Sequence, residues 1–295
     1  MELRQLRYFI EIAEQGSFTR AAETLSIAQP ALSAQIHKLE AELNAPLFIR
    51  NKRGVVLTDV GRVVLENARK TVAAADATVR AAALETDAAD SRIVLGYSST
   101  FPVAQTARIT RSLRRERPNA RFDLREMRSA DQVAALLSGE IDFALLQERP
   151  DLPEHGLVRV PVAVEFLTIA LPSGHPLAKR RTVRLEELAL ESFIIPSANF
   201  GETARDEAYE ACRRAGFTPR ITQEAKDARI LLGFVSAGLG VSIVSSAGRY
   251  VKIRGVSYVS ITPEIAMHFA VMYRRGFGGK ALAPFFARLH DHALT

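Results

Sequence analysis

Residues 17–37 read Ser17-Phe18-Thr19-Arg20-Ala21-Ala22-Glu23-Thr24-Leu25-Ser26-Ile27-Ala28-Gln29-Pro30-Ala31-Leu32-Ser33-Ala34-Gln35-Ile36-His37. Ser17 is placed to cap a helix over Phe18 to Leu25, and the Ala21-Ala22 pair lacks the bulk that would keep another helix away. Ser26-Ile27-Ala28 breaks the pattern, and Pro30 suits the first turn of the next helix, where its missing N–H costs nothing. In that helix Leu32, Ile36, Leu39 and Leu43 step by four, three and four and mark the buried stripe. Gln29, Pro30, Ala31, Ser33, Ala34 and His37 are left on or near the outward face. Upstream, Leu3, Leu6, Phe9 and Ile10 recur at helical spacing opposite Glu11, Glu14 and Gln15, and Gly16 ends that helix.

Two short helices joined by a tight turn, the second presenting small and polar residues near its start, make a helix-turn-helix. Gln29 has the amide that pairs with adenine, Ser33 serves base or phosphate, and Ala31 fits a thymine methyl. A plain three-helix cluster with a solvated face has the same periodicity. The next segment weighs on the choice. Leu47-Phe48-Ile49-Arg50, then Asn51-Lys52-Arg53-Gly54, then Val55-Val56-Leu57-Thr58 reads as two strands around a basic turn, a wing that sets cations where phosphates lie. Such contacts position a reader helix without carrying sequence information.

Bulk charge says less. The 295 residues carry 39 Lys+Arg against 33 Asp+Glu, a net +6 that permits nucleic-acid binding without establishing it. Residues 1–70 hold ten of the bases and eight of the acids, only +2, so the informative feature is local: Arg50, Lys52, Arg53 and Arg62 against Asp59. A composition 47% hydrophobic and 24% charged reads as globular. The opening alternates charged and apolar residues without a signal-peptide core, no apolar run reaches membrane-spanning length, and the single Cys212 excludes an internal disulfide. A cytoplasmic protein without membrane contact is expected.

The run Ala21-Ala22-Glu23-Thr24-Leu25, Ala28-Gln29-Pro30-Ala31-Leu32-Ser33, Gln35-Ile36, Leu39-Glu40, Leu43, Leu47-Phe48, Arg50, Arg53, Leu57-Thr58 and Gly61 resembles the LysR-type transcriptional regulators. The opening Met1-Glu2-Leu3-Arg4-Gln5-Leu6-Arg7-Tyr8-Phe9 is similar to the branch that regulates aromatic-compound catabolism. Ala34, Asn44 and Val60 depart from the pattern, standing where Arg, Gly and a small residue are usual. The resemblance implies a winged helix-turn-helix that binds double-stranded promoter DNA, with Arg50 and Arg53 on the wing. It also implies a homodimer through linker helices, paired into a homotetramer, and contact with RNA polymerase.

Three regions follow: a DNA-binding domain over 1–58, a linker helix and hinge over 59–90, and a regulatory domain over 91–295. From Asp59 to about Asp87 there is no Pro and, after Gly61, no Gly. Val60, Val64, Ala68, Val72, Ala75, Val79 and Ala82 recur every three or four residues, and Thr58 is a fitting N-cap. A helix of roughly 43 Å at about 1.5 Å per residue is too long for one small core and suits pairing with a second copy. A helix packed on its own body is the alternative.

Beyond residue 91, strand and helix signals alternate. Strands are expected at Ile93 to Tyr97, Phe122 to Glu126, Ile141 to Leu146 and, as a crossover, Glu165 to Leu171. The series then recurs with Phe193 to Ile195, a helix Glu202–Ala215, strand Arg220–Glu224, a helix Asp227–Ala237 and strand Val241–Val244. Met267 to Tyr273 returns before a terminal helix from Lys280. Repeated βα units predict mostly parallel sheets in two subdomains, about 91–162 with 267–295 and about 163–266, around a cleft. This resembles the family's periplasmic-binding-protein-like effector domain.

Ligands of open α/β sheets sit beyond strand C-terminal ends, near helix N-termini. By that rule Ser98, Ser99 and Thr100, then Ser129, then Gln147 converge from one subdomain, and Ser197, Asn199 and Phe200 from the other. The resemblance implies that these positions hold a small effector, an organic acid or aromatic catabolite; simple helix capping accounts for the same hydroxyls. No catalytic residue, metal set or cofactor motif is found: there is no Gly-rich phosphate loop, His-Glu-x-x-His, Cys-x-x-Cys or Gly-x-Ser-x-Gly. Arg213 and Arg214 beside Cys212 could lower its pKa, but an inert helix cysteine is the expected reading, and a lone cysteine excludes a peroxide sensor of the two-cysteine kind. A transport-type solute-binding protein has no use for the first 58 residues, and an enzyme lacks its nucleophile or cofactor site.

Overall fold

The computed structural model describes residues 1–51, 54–86, 91–149, 152 and 156–291; for Arg50, Asn51, 198–203, Tyr250 and Asp291 it describes the backbone alone. The chain divides into two compact units, one of Met1–Ala82 with Ser138–Glu140, the other of the rest.

In the first unit α1 (Leu3–Gln15), α2 (Phe18–Thr24) and α3 (Gln29–Leu43) pack around Leu6, Phe9, Ile12, Leu32, Ile36 and Leu39, all buried. Gly16 ends α1 in the left-handed conformation, φ 58°, and returns its N–H to Ile12 O at 2.9 Å. The Ser17 hydroxyl accepts from Arg20 N at 3.4 Å and caps α2. The α3 stripe stops at Leu39, because Leu43 lies in the last turn with 36% of its surface exposed. Asn44 closes α3 at φ 53°, a left-handed position that Asn tolerates better than most residues, so the absence of Gly there is harmless. Strands β1 (Phe48–Asn51) and β2 (Gly54–Leu57) pair antiparallel, Phe48 opposite Leu57 and Asn51 opposite Gly54. Phe48 anchors this hairpin against Phe9 and Phe18, with ring centroids 5.2 and 5.7 Å apart.

Thr58 starts the long helix α4 (Asp59–Glu85, 27 residues), its hydroxyl accepting from Gly61 N at 2.8 Å. A Cβ on Gly61 would stand 2.2 Å from Leu47 O, so only Gly lets the helix start there. Arg69 bonds Glu14 at 2.8 Å and Arg7 pairs with Asp76, tying α4 to α1. Its apolar stripe is only partly used: Ala68 is buried, whereas Val60 and Val79 are 45% and 69% exposed.

The second unit opens with β3 (Arg92–Tyr97), α5 (Val103–Glu116), β4 (Arg121–Glu126), α6 (Ser129–Ser138) and β5 (Phe143–Gln147). Strand β6 (Leu157–Pro172) then runs into the second subdomain, which holds β7 (Thr182–Val183), β8 (Ser192–Pro196), α7 (Ala198–Arg214), β9 (Arg220–Ala225), α8 (Ala228–Ser236), β10 (Ser242–Ser245) and β11 (Val256–Ile261). Strand β12 (Ala266–Arg274) returns, and α9 (Ala283–Asp291) follows.

Strands β3, β4 and β5 pair parallel, as do β8 and β9, but the sheets as a whole are mixed rather than mostly parallel. The reason is the two crossings. Strand β6 pairs antiparallel with β12 over Leu157 to Phe166, and with β10 and β11 beyond. This strand is also longer than its expected core of Glu165 to Leu171. Pro161 argues against a central strand, but the ladder skips a residue there: Ala270 faces Pro161 and Phe269 faces Ala163. The resulting bulge accommodates a residue that has no N–H to donate. Strand β11 was not anticipated, since Val256-Ser257-Tyr258-Val259-Ser260-Ile261 does not alternate strictly.

An ion pair between a buried acid and a half-buried arginine braces the first subdomain. Asp142 is fully buried; it accepts from Val94 N at 2.9 Å and from Arg274 at 3.2 Å. Arg274 also donates to Leu136 O at 2.6 Å and Ile141 O at 2.7 Å, holding the α6–β5 corner to β12.

Candidate nucleic-acid interface and ligand cleft

With Leu32, Ile36 and Leu39 turned into the core, the helical period carries 30, 33, 34 and 37 to the opposite side of α3. Pro30, Ala31, Ala34 and His37 are exposed, and Gln29 and Ser33 are half-buried at the same end. Proline, alanines and a serine let a partner surface come close. His37 Nδ1 lies 3.4 Å from Glu40, whose carboxylate also accepts from Leu47 N at 2.7 Å, so α3 and the wing's first residue share one acid. The hairpin carries Arg50 on β1 opposite Val55. Lys52 and Arg53 lie outside the described residues.

In the second unit, adjacent strand ends are locked side by side. Ser98 N donates to Leu145 O at 3.0 Å and Met127 N to Tyr97 O at 2.9 Å, aligning the C-terminal ends of β3, β4 and β5. Across from them Ser197 N donates to Ala225 O at 2.9 Å, joining the ends of β8 and β9. A cavity of about 270 Å³ lies between these edges, with Ser99 and Thr100 on one side and Pro196, Leu231 and Leu232 on the other.

The predicted effector residues divide by placement. Ser99 and Thr100 line the cavity, and the Ser98 hydroxyl is 3.2 Å from that of Thr100. Gln147, 3% exposed, adjoins the lining by donating from Nε2 to Glu207 Oε1 at 2.9 Å. Ser129 and Ser197 are not among the lining residues, yet each hydroxyl oxygen is buried without a hydrogen-bond partner, as is Gln147 Oε1. Leaving a buried polar atom unpaired costs about 1–3 kcal/mol, so these three orphans call for explanation. Asn199 and Phe200 belong to α7, and their side chains lie outside the description.

Sequence reasoning missed Glu207, Asp227 and the apolar wall of Leu231, Leu232 and Met267. Glu207 sits in the middle of α7, away from any helix start, so a rule built on strand ends cannot find it. Asp227 shows only as an N-cap, accepting from Ile230 N at 2.9 Å. A second cavity of about 330 Å³ between α5 and α9, with Arg108, Arg111, Arg115 and Arg288 at its rim, includes none of the predicted residues.

Cys212 is a buried cysteine of α7, in keeping with the inert reading. Arg213 and Arg214 both bond Glu210 at 2.9 Å, and burial pushes the thiol up to about 12, opposite to activation. Among the described residues no helix is long and apolar enough to cross a membrane.

A winged helix-turn-helix joined to a two-subdomain sheet module with a cleft defines a ligand-responsive DNA-binding regulator. Residues 3–62 match the bacterial regulatory helix-turn-helix protein, lysR family, and residues 86–294 match the LysR substrate binding domain. Over 272 residues, 90% of each chain, the protein is 38% identical to the HTH-type transcriptional regulator YnfL of Escherichia coli (strain K12). The crystal structure of CbnR, a LysR family transcriptional regulator, is 26% identical with a TM-score of 0.74, covering 100% of both chains. Full-length CbnR complexed with its target DNA is 27% identical with a TM-score of 0.72, covering 99% of both. The chain belongs to the LysR family: a DNA-binding transcriptional regulator with an effector-binding domain, from a family of regulators rather than enzymes.

Proposed function

We propose that the protein is a cytoplasmic regulator that reads its operator with the exposed face of α3 and senses a small organic acid in the cavity between the two regulatory subdomains. Gln29, Ala31 and Ser33 contact base edges, Pro30, Ala34 and His37 border them, and Arg50 and Arg53 position the wing on phosphates. The supporting observation is the α3 surface itself, small and polar on one side and fully packed on the other. Ser99 and Thr100, at the start of α5, offer hydroxyl and backbone donors to a carboxylate.

The exposed valines of α4 suit a homodimer through this helix, and a tetramer built from two such dimers holds the reader helices on one DNA face and presents them to RNA polymerase. An effector acts only by the difference in its affinity for two subdomain arrangements. A gel shift with the intergenic DNA upstream of the protein's own gene tests the reading. Specific retardation is expected, with an effector-dependent change of footprint. Binding no tighter than to unrelated DNA would contradict it.

A further inference from the structure

The cavity's charge runs against that of the chain. The protein as a whole is +6, yet the titratable side chains among the described lining residues are Glu207 and Asp227, with no Lys, Arg or His. Arg205, the nearest cation in sequence to Glu207, bonds Glu224 at 2.8 Å and is not part of the lining.

The acceptors there are also short of donors. A carboxylate only accepts, so the Gln147 amide must turn its Nε2 toward Glu207. That orientation leaves Gln147 Oε1 an acceptor, buried on a residue 3% exposed and without a partner. Beside it Glu207, half-buried, has one oxygen engaged by the amide. Glu207 therefore lines the cavity with a carboxylate that the amide behind it only half engages, and an entering carboxylate would meet repulsion there. A cationic N–H donor pairs with it.

Resting on the effector cavity described above, we propose that the effector carries an ammonium group, held by Glu207, whose carboxylate the Gln147 amide positions from behind. The effector's carboxylate faces Ser99, Thr100 and the start of α5, and its apolar body lies against Leu231, Leu232 and Met267. The ligand class is a small apolar α-amino acid. This unites an acidic corner with a donor-rich helix start, which neither a simple carboxylate nor a simple amine uses in full.

The test is calorimetry on the full-length protein with two matched series: leucine, isocaproate and isoamylamine; phenylalanine, hydrocinnamate and phenethylamine. The amino acid of at least one series is expected to bind about tenfold or more tighter than its deaminated partner. Glu207→Gln, which keeps size and an acceptor for Gln147, should erase that preference, and Gln147→Met should weaken it. Ala228→Phe, at an exposed position of the lining, should abolish binding. If the carboxylates bind as tightly as the amino acids and Ala228→Phe blocks them, the ammonium assignment is overturned while the cavity stands. Amino-acid binding that survives Ala228→Phe, or no binding in either series at millimolar concentration, overturns the cavity and the assignment together.

Discussion

The α3 face and the regulatory cleft solve opposite problems. The face is assembled from one stretch of nine residues, Gln29 to His37, on a helix held by its own heptad of core contacts. Its side chains are mostly small and solvent-exposed, with few contacts beyond their own helix. The cleft draws Ser99 from one subdomain and Leu231 from the other, with Met267 from the returning strand. Its polar side chains, an exposed Ser99 with half-buried Thr100 and Glu207, meet only through the packing that brings their elements together. A surface reader is therefore a local object and a sensor a tertiary one. Mutations should separate along that line.

The largest effects break one region and spare the other. Phe9→Ala removes a fully buried ring that packs tilted against Phe48, and should cost about 3–5 kcal/mol and abolish operator binding. Asp142→Ala withdraws a fully buried carboxylate from the half-buried Arg274 and from Val94 N, costing about 3 kcal/mol, and should abolish the ligand response first. Urea unfolding followed separately by DNA binding and ligand binding checks both; concerted loss in each variant would show that the two regions are energetically one.

Next comes assembly. Val60→Glu with Val79→Glu places charges on the exposed part of the α4 stripe and should weaken a helix-mediated dimer about a hundredfold or more. Light scattering reads this directly, and an unchanged oligomer would move the interface elsewhere.

Smaller still is the split between reading and positioning. Gln29→Ala or Ser33→Ala should cost about 1–3 kcal/mol on the operator and almost nothing on unrelated DNA. Arg53→Ala should weaken both and lower the salt slope by about one. Salt titrations of binding to both DNAs separate the cases. The least effect is expected at Cys212. With its thiol at about 12, roughly one molecule in ten thousand is thiolate at pH 8, so a disulfide reagent should label the unfolded chain and not the native one.

The locality that separates the regions also governs how much was legible in the sequence. The helix-turn-helix, its Ser17 and Thr58 caps and the linker helix were readable because each depends on neighbours within a few residues. Leu43 was misplaced because a period cannot say where a helix leaves its core. The βα units were visible as well. The antiparallel crossings were not, since nothing in Glu165 to Leu171 announces that β6 serves two subdomains, and Pro161 disguises its first half. The cleft was legible only at strand ends: Ser99 and Thr100 were found, whereas Glu207 and Leu231 reach it from helices whose position the topology decides.

Sequence-specific reading by α3 is the central claim, and competition binding measures it most directly. The wild-type protein should prefer its own upstream DNA to a scrambled duplex of equal length by about a thousandfold or more at physiological salt. The Gln29→Ala, Ser33→Ala double variant should lose most of that ratio while its affinity for scrambled DNA stays the same. A ratio near one for the wild type, or a double variant that keeps the wild-type ratio, would contradict the account.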